Sequence, residues 1–358
     1  PDHSTFSENR HGRFRDSDTF RYLFETVLRR CMAEGLVCGE GFAVDASIVR
    51  ADATRQRHCE DDKGWGANVS RAVREYLEAI DADDAPAGKR MRKVSPTDPA
   101  ASYTAAIGGP AFYAYSTNYL VDTDYGIIVD VESSIANRAE EVESTKTMIE
   151  RVEARFGIKP HRLIGDTAYG AAWMLNWVVE TKQIEPHIPV WRKYEGKAGL
   201  LGMAAFTWDA EADRYICPAG KSLQRYRRHF KKKRTGVTKA NTIVYRAIQR
   251  DCGHCEYKSR CCPNEPRRKI TRSLYESSRD VARAVARTPD YKKTRRQRKK
   301  VEMLFAHMKR ILKLDRLRLR GMSGAHDEFL LAATTQNLRR MAKLLSQPPP
   351  VQGVTAPV

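Results

Sequence analysis

The stretch from Ala111 to Asp166 most constrains what this chain can fold into. "AFYAYSTNYLVD" and "YGIIVDVESS" are runs of aromatic and β-branched residues joined through Thr123-Asp124, and they predict a β-hairpin. "RAEEVESTKTMIERVEARFG" is helical in period and stops at Gly157. "HRLIGDTAYG" then holds a short strand of buried type, Arg162–Ile164, closed by Gly-Asp. Strands that alternate with a helix in this way predict an α/β chain with a mixed sheet.

The flanks extend the pattern. "DSDTFRYLFETVLRRCMAEG" predicts a helix capped by Ser17 or Asp16, with Phe20, Phe24, Val27 and Leu28 on one face and Gly35 at its end. "GFAVDASIVR" (41–50) predicts a strand, and "VSRAVREYLEAID" (69–81) a helix. Residues 82–110 are rich in Asp, Pro, Gly and Lys and predict a long loop. "AAWMLNWVVETK" predicts a helix and "EPHIPV" a short strand. The order is strand, strand, strand, helix, strand, helix, strand, with a further helix after the first strand.

Residues 191–290 differ. They hold "FTWDAEADRYICP", the basic run Arg225–Arg234 and most of the cysteines, and predict an inserted β-rich unit whose basic run binds phosphate. From Thr294 the chain is helical through Leu314. A last helix, "HDEFLLAATTQNLRRMAKLL", follows Gly324, and the tail "SQPPPVQGVTAPV" reads as disordered. The predicted divisions are 1–40, 41–190, 191–290, 291–345 and 346–358. No internal repeat and no Gly-rich phosphate loop is present.

Lys and Arg number 63 against 44 Asp and Glu, a net charge of +19 on 358 residues. A surplus of that size predicts a polyanionic partner, with nucleic acid first. No long uncharged apolar run argues for a membrane, and no leader pattern argues for export. The chain starts at Pro1, which predicts a processed product or a fragment of a longer reading frame.

Within that charge, "RRQRKKVEMLFAHMKR" (295–310) carries seven Lys or Arg and a single acid, Glu302. Asp45 lies inside the apolar strand "FAVDAS", and Asp166 follows the strand in "LIGDTAYG". An acid in an apolar strand is costly to bury unless it is paired or binds a cation. Asp45, Asp166 and Glu302 therefore form a candidate oxygen-ligand set for Mg²⁺. Two ions held by such acids can activate an attacking hydroxyl and stabilise the leaving oxygen of a phosphodiester. Arg298, Glu302 and Lys309 fall near one helical stripe, beside an apolar stripe of Val301, Leu304, Phe305, Met308, Ile311 and Leu312. Taken singly, Glu302 could make only i,i+4 pairs, Asp45 could cap a turn, and Asp166 could open a helix.

These residues resemble the DDE transposases of bacterial insertion sequences, which have a ribonuclease H-like core. The resemblance covers most of residues 1–345. Arg298, Glu302 and Lys309 match the family's Y-x2-R-x3-E-x6-K signature, with Arg295 at the tyrosine position. "GDTAYG" and "RKKVEMLFAHMKRILKLDRLRLRG" also resemble the family as stretches. The resemblance implies a ribonuclease H-like mixed sheet flanked by helices, with the inserted unit after the fourth strand. It implies that Asp45, Asp166 and Glu302 bind two Mg²⁺ or Mn²⁺ ions for cleavage of transposon ends and joining of their 3′-hydroxyls to target DNA. Arg298 and Lys309, with Arg295 and Lys299, would meet DNA phosphates, and Tyr169 would position DNA or pack. Double-stranded DNA is the implied partner, a homodimer on DNA the implied assembly, and a bacterial cytoplasm with its nucleoid the implied location. "PDHSTFSENR" resembles the end of the family's N-terminal DNA-end-binding region.

Eight cysteines in such a chain are no disulfide framework. Cys217, the Cys252-x2-Cys255 pair and Cys261 suit a closed structural Zn²⁺ site, with Cys262 spare and His254 pointing away. Reduced, partly buried thiols are the alternative. Trp191 and Trp208 flank the start of the unit and are expected in its core, with a flipped base as the other use. Two further functions compete with transposition: DNA binding without catalysis, and a nuclease that cuts without joining.

Overall fold

Strand β1 (Gly41–Arg50) has a neighbour on each edge, and the two differ in direction. The computed structural model describes residues 5, 8–10, 12–14, 17–59, 70–82, 93–105, 109–191, 199–226 and 235–346. It divides into Pro1–Ala168 with Thr288–Val358, and Tyr169–Arg287.

In the first unit, β3 (Phe112–Asp122) runs antiparallel to β1, with Asp45 opposite Tyr119. β4 (Ile128–Ile135) runs antiparallel on β3's other edge, and β2 (Ser102–Thr104) continues that edge at the start of β3. The turn at 123–127 closes the expected hairpin. β2 lies inside the stretch read as loop; three residues carry too little pattern to announce a strand. β5 (Arg162–Ile164) pairs parallel with β1, Ala43 opposite Ile164. β3 is buried along nearly its whole length, which explains its continuous apolar and aromatic run.

Helices cover both faces of this sheet. α3 (Arg138–Phe156) starts where the Asn137 side chain accepts from Ala139 N, and stops at Gly157 in the left-handed region. Ser116 donates to Glu141 of α3 at 2.7 Å, whereas the Tyr119 ring packs 5.4 Å from Phe305 on the opposite face. Phe305 belongs to α8 (Pro289–Arg310), which packs on β1 and β5. The helix starts five residues earlier than the pattern predicts. Thr288 caps Tyr291 N and Pro289 fits the first turn, so the polar segment before Thr294 is helical too. α9 (Gly321–Leu345) lies against β4 and α1 (Thr19–Ala33). Its Asn337 amide both accepts from Ile128 N and donates to Ile128 O, each at 2.8 Å. Asp130 on β4 is held by Arg21 of α1 at 2.5 Å and Arg151 of α3 at 2.8 Å.

α1 ends as expected, with Gly35 at φ +70°. Its cap differs: Asp18 is the N-cap and makes no side-chain cap bond, and Ser17 bonds Thr19 and Phe14 O instead. Asp16 lies outside the described residues, as do residues 227–234 of the basic run and 347–358 of the tail. α2 spans Arg71–Ala82.

The second unit begins with α4 (Ala172–Asn176), which widens into a π turn over Trp177–Thr181, then β6 (Glu185–His187). Gly170 is required here, because a Cβ would lie 2.0 Å from Pro189 O. A five-stranded antiparallel sheet follows, ordered β11-β10-β9-β8-β7: β7 Thr207–Asp209, β8 Arg214–Ile216, β9 Ser222–Arg225, β10 Thr242–Arg246 and β11 Lys269–Ser273. One face buries Tyr215, Leu223, Tyr245 and Ile270, with Trp208 packed against them. Trp191, by contrast, is 48% exposed, so the expectation of core packing fails for it. Short helices α5 (Gln249–Gly253) and α6 (Lys258–Cys261) carry the late cysteines, and α7 (Glu276–Val285) closes the unit.

Candidate active site

Parallel pairing of β1 with β5 decides where the two aspartates fall. Ala43 is opposite Ile164. Asp45 and Asp166 each stand two residues further on, so the same register carries Asp45, in the middle of β1, beside Asp166, just past the end of β5. Such strands lie about 4.8 Å apart. Asp45 is mostly buried and accepts from Ala46 N at 2.9 Å. Asp166 is more open, and accepts from Ala168 N at 2.7 Å as the chain turns out of β5.

Arg298 of α8 reaches both. Its Nη2 is 3.5 Å from Asp45 Oδ2 and 3.9 Å from Asp166 Oδ2. Burial raises the pKa of Asp45; Arg298 and the Ala46 N–H oppose that rise, and the charge of Asp166 adds to it. Two carboxylates with a cation between them are a site built for positive charge. Lys309, three turns further along α8, donates to Ile48 O of β1 at 3.1 Å, and burial lowers its pKa.

Glu302 stands one helical turn after Arg298 and is exposed. Among the described residues, no three His, Cys, Asp or Glu side chains are grouped as metal ligands. The structure therefore brings Asp45 and Asp166 together but leaves Glu302 outside the pair. Hard carboxylate oxygens around a cationic position fit a divalent ion such as Mg²⁺; the fit rests on the two aspartates. Arg295 and Lys299 are exposed on the outer side of α8. Tyr169 is buried, only 3% exposed, which fits the packing alternative.

Residues 216–342 match the family model described as transposase DDE domain. Over that range, about a third of the chain, the sequence is similar to the DDE-type transposases. The searches against curated proteins and solved structures found no match. The matched range includes Arg298, Glu302 and Lys309; Asp45 and Asp166 precede it. No described helix is long and apolar enough to cross a membrane.

In the second unit, Cys217, Cys252, Cys255 and Cys261 line one small cavity of about 30 Å³ with Tyr257 and Arg268. Cys217 Sγ accepts from Lys221 N at 3.3 Å. His254 is exposed, as expected. The thiols share a cavity without forming a grouped ligand set, and burial raises the pKa of Cys252 and of Cys261, the latter to about 11.

What the sequence reading assigned to Arg298 was phosphate contact, and its position between the aspartates was missed. Charge pattern alone cannot show this, because the bridge joins residues 253 apart in sequence.

Proposed function

We propose that the chain is a DNA transposase that cleaves insertion-sequence ends and joins their 3′-hydroxyls to target DNA. The observation that carries this reading is the pairing of Asp45 with Asp166 through parallel register, with Arg298 between them. The sheet path β4–β3–β1–β5, with three antiparallel-related strands followed by a parallel one, supports a ribonuclease H-like core.

Asp45 and Asp166 would hold the divalent ions, with Glu302 as the third ligand. Bound Mg²⁺ or Mn²⁺ supplies Lewis acidity that favours deprotonation of the attacking hydroxyl and offsets charge on the leaving oxygen. The chain's own residues do the rest. Arg298 keeps two like charges together before substrate arrives, which preserves their spacing. Lys309, fixed to the β1 backbone, sets a second positive charge along the path of the phosphates. In the joining step the 3′-oxygen forms a bond to target phosphorus as the target's own P–O3′ bond breaks. Two ends must be held together for this, so a homodimer on DNA is the expected assembly.

The exposure of Glu302 outside the aspartate pair favours a second reading, DNA binding without chemistry. The test is Mg²⁺-dependent cleavage and joining of labelled DNA carrying the element's own ends. Joined product that disappears in Asp45→Ala, with DNA binding kept, supports a transposase. Cut product without joining supports a nuclease, and binding with no product leaves the second reading.

We further propose that the cavity lined by Cys217, Cys252, Cys255 and Cys261 takes structural zinc, which pins the ends of the β-rich unit. Metal analysis of purified protein tests this; zinc well below one per chain overturns it.

A further inference from the structure

α8 has two cationic edges, and the carboxylate site uses only one. At about 100° per residue, Arg298, Glu302 and Lys309 lie on one edge of its buried stripe, and Lys293, Arg296 and Lys300 lie roughly opposite. On that second edge Pro289, Lys292, Lys293, Arg296, Gln297 and Lys300 line an open cavity of about 360 Å³. Four of the six carry positive charge and none carries negative charge.

The cavity is held in place by backbone and amide contacts. Lys300 Nζ donates to Thr123 O at 3.1 Å and Asp124 O at 3.4 Å. Gln297 Nε2 donates to Asp124 Oδ1 at 3.3 Å, so that nearby acid is already engaged by an amide. Two loop carbonyls fix the lysine without cancelling its charge. An ordinary solvated helix face mixes signs, as α3 does with Lys146 beside Glu143. Four cations lining one concavity repel one another and raise the local affinity for an anion.

We propose that this second edge is a binding groove for the phosphate backbone of duplex DNA, separate from the strand at Asp45 and Asp166. The inference rests on the DNA reading above. One helix would then sit between two DNA segments, its Arg298 edge at the reacting phosphate and its Lys293 edge on another stretch of duplex. Lysine and arginine without base-reading partners make the groove indifferent to sequence.

The test is binding of the full chain to a labelled duplex, by fluorescence anisotropy over a salt series. Each phosphate contact contributes about 0.9 to the slope of log affinity against log salt. The triple substitution Lys292→Ala, Lys293→Ala, Arg296→Ala is expected to lower that slope by about 2 to 3. A control with equal charge loss elsewhere, Lys159→Ala, Lys239→Ala, Lys343→Ala, is expected to lower it far less. Combined with Arg298→Ala, the groove substitutions should add, because separate sites act independently. An unchanged slope, a slope equal to the control's, or failure to add overturns the groove while leaving DNA binding intact. No binding by the unaltered chain overturns the DNA reading itself. The three groove residues are exposed, and an unchanged melting temperature in each variant separates lost contacts from lost folding.

Discussion

Arg298 Nη2 lies 3.5 Å from Asp45 Oδ2, across 253 residues of sequence. The guanidinium also reaches Asp166 Oδ2 at 3.9 Å, and it lowers a proton affinity of Asp45 that burial raises. Arg298→Met should therefore protonate Asp45 at higher pH. The acid limb of the cleavage pH profile should move upward, so that the variant's loss relative to wild type is greatest on the acid side and shrinks in alkali. An unshifted limb would show that Asp45 does not titrate in the rate.

Glu302→Gln should abolish metal-dependent cleavage and keep or raise DNA affinity. It removes a proposed ligand and also a negative charge from a basic helix. Normal cleavage by this variant would remove Glu302 from the site.

Folding stability should fall on acidification through His326. Burial first, then Arg21 and Arg151, push its pKa down to about 4, with Asp130 and Asp18 opposing. The ring accepts or shares hydrogen bonds with Arg21 and Ser133, and Glu132 lies 3.9 Å away. Between the ordinary histidine value and about 4 the unfolded chain binds more protons, so stability is full above about pH 6.5 and drops below it, by about 3 kcal/mol at most. Denaturant melts at pH 7 and pH 5 should show a difference that narrows in His326→Gln; an equal difference in both would rule the histidine out.

Asp98 has the opposite sign. Burial raises its pKa to about 6, although Tyr115 donates at 2.5 Å and Gly321 N at 3.1 Å; its Oδ2 has no partner. The native state holds the proton more tightly, so stability is greatest below about pH 4 and declines as pH rises through 6. Asp98→Asn should gain on wild type between pH 3 and pH 7, by up to about 3 kcal/mol. A constant difference across that range would contradict a charged Asp98 at neutral pH.

Gly170→Ala should destabilise the second unit by more than about 4 kcal/mol, because the new methyl would overlap Pro189 O and crowd Trp191 N at 2.7 Å. Proteolysis within 169–287 should speed up; a variant as resistant as wild type would show that the loop yields easily.

The sequence determined the elements whose physics is local. Period and a terminal glycine placed α3, alternation and a turn placed the β3–β4 hairpin, and isolated acids on apolar strands marked Asp45 and Asp166. The net charge of +19 raised the expectation of a polyanionic partner. β2 and the first turns of α8 escaped because three residues, or a wholly polar turn, have no period to read. Only the tertiary structure decided which charges meet. Strand register put the two aspartates abreast, the docking of α8 brought Arg298 to both and left Glu302 exposed, and the hairpin carbonyls fixed Lys300 on the far edge. Electrostatic partners follow distance in space, and distance in sequence says nothing about that until the sheet is formed.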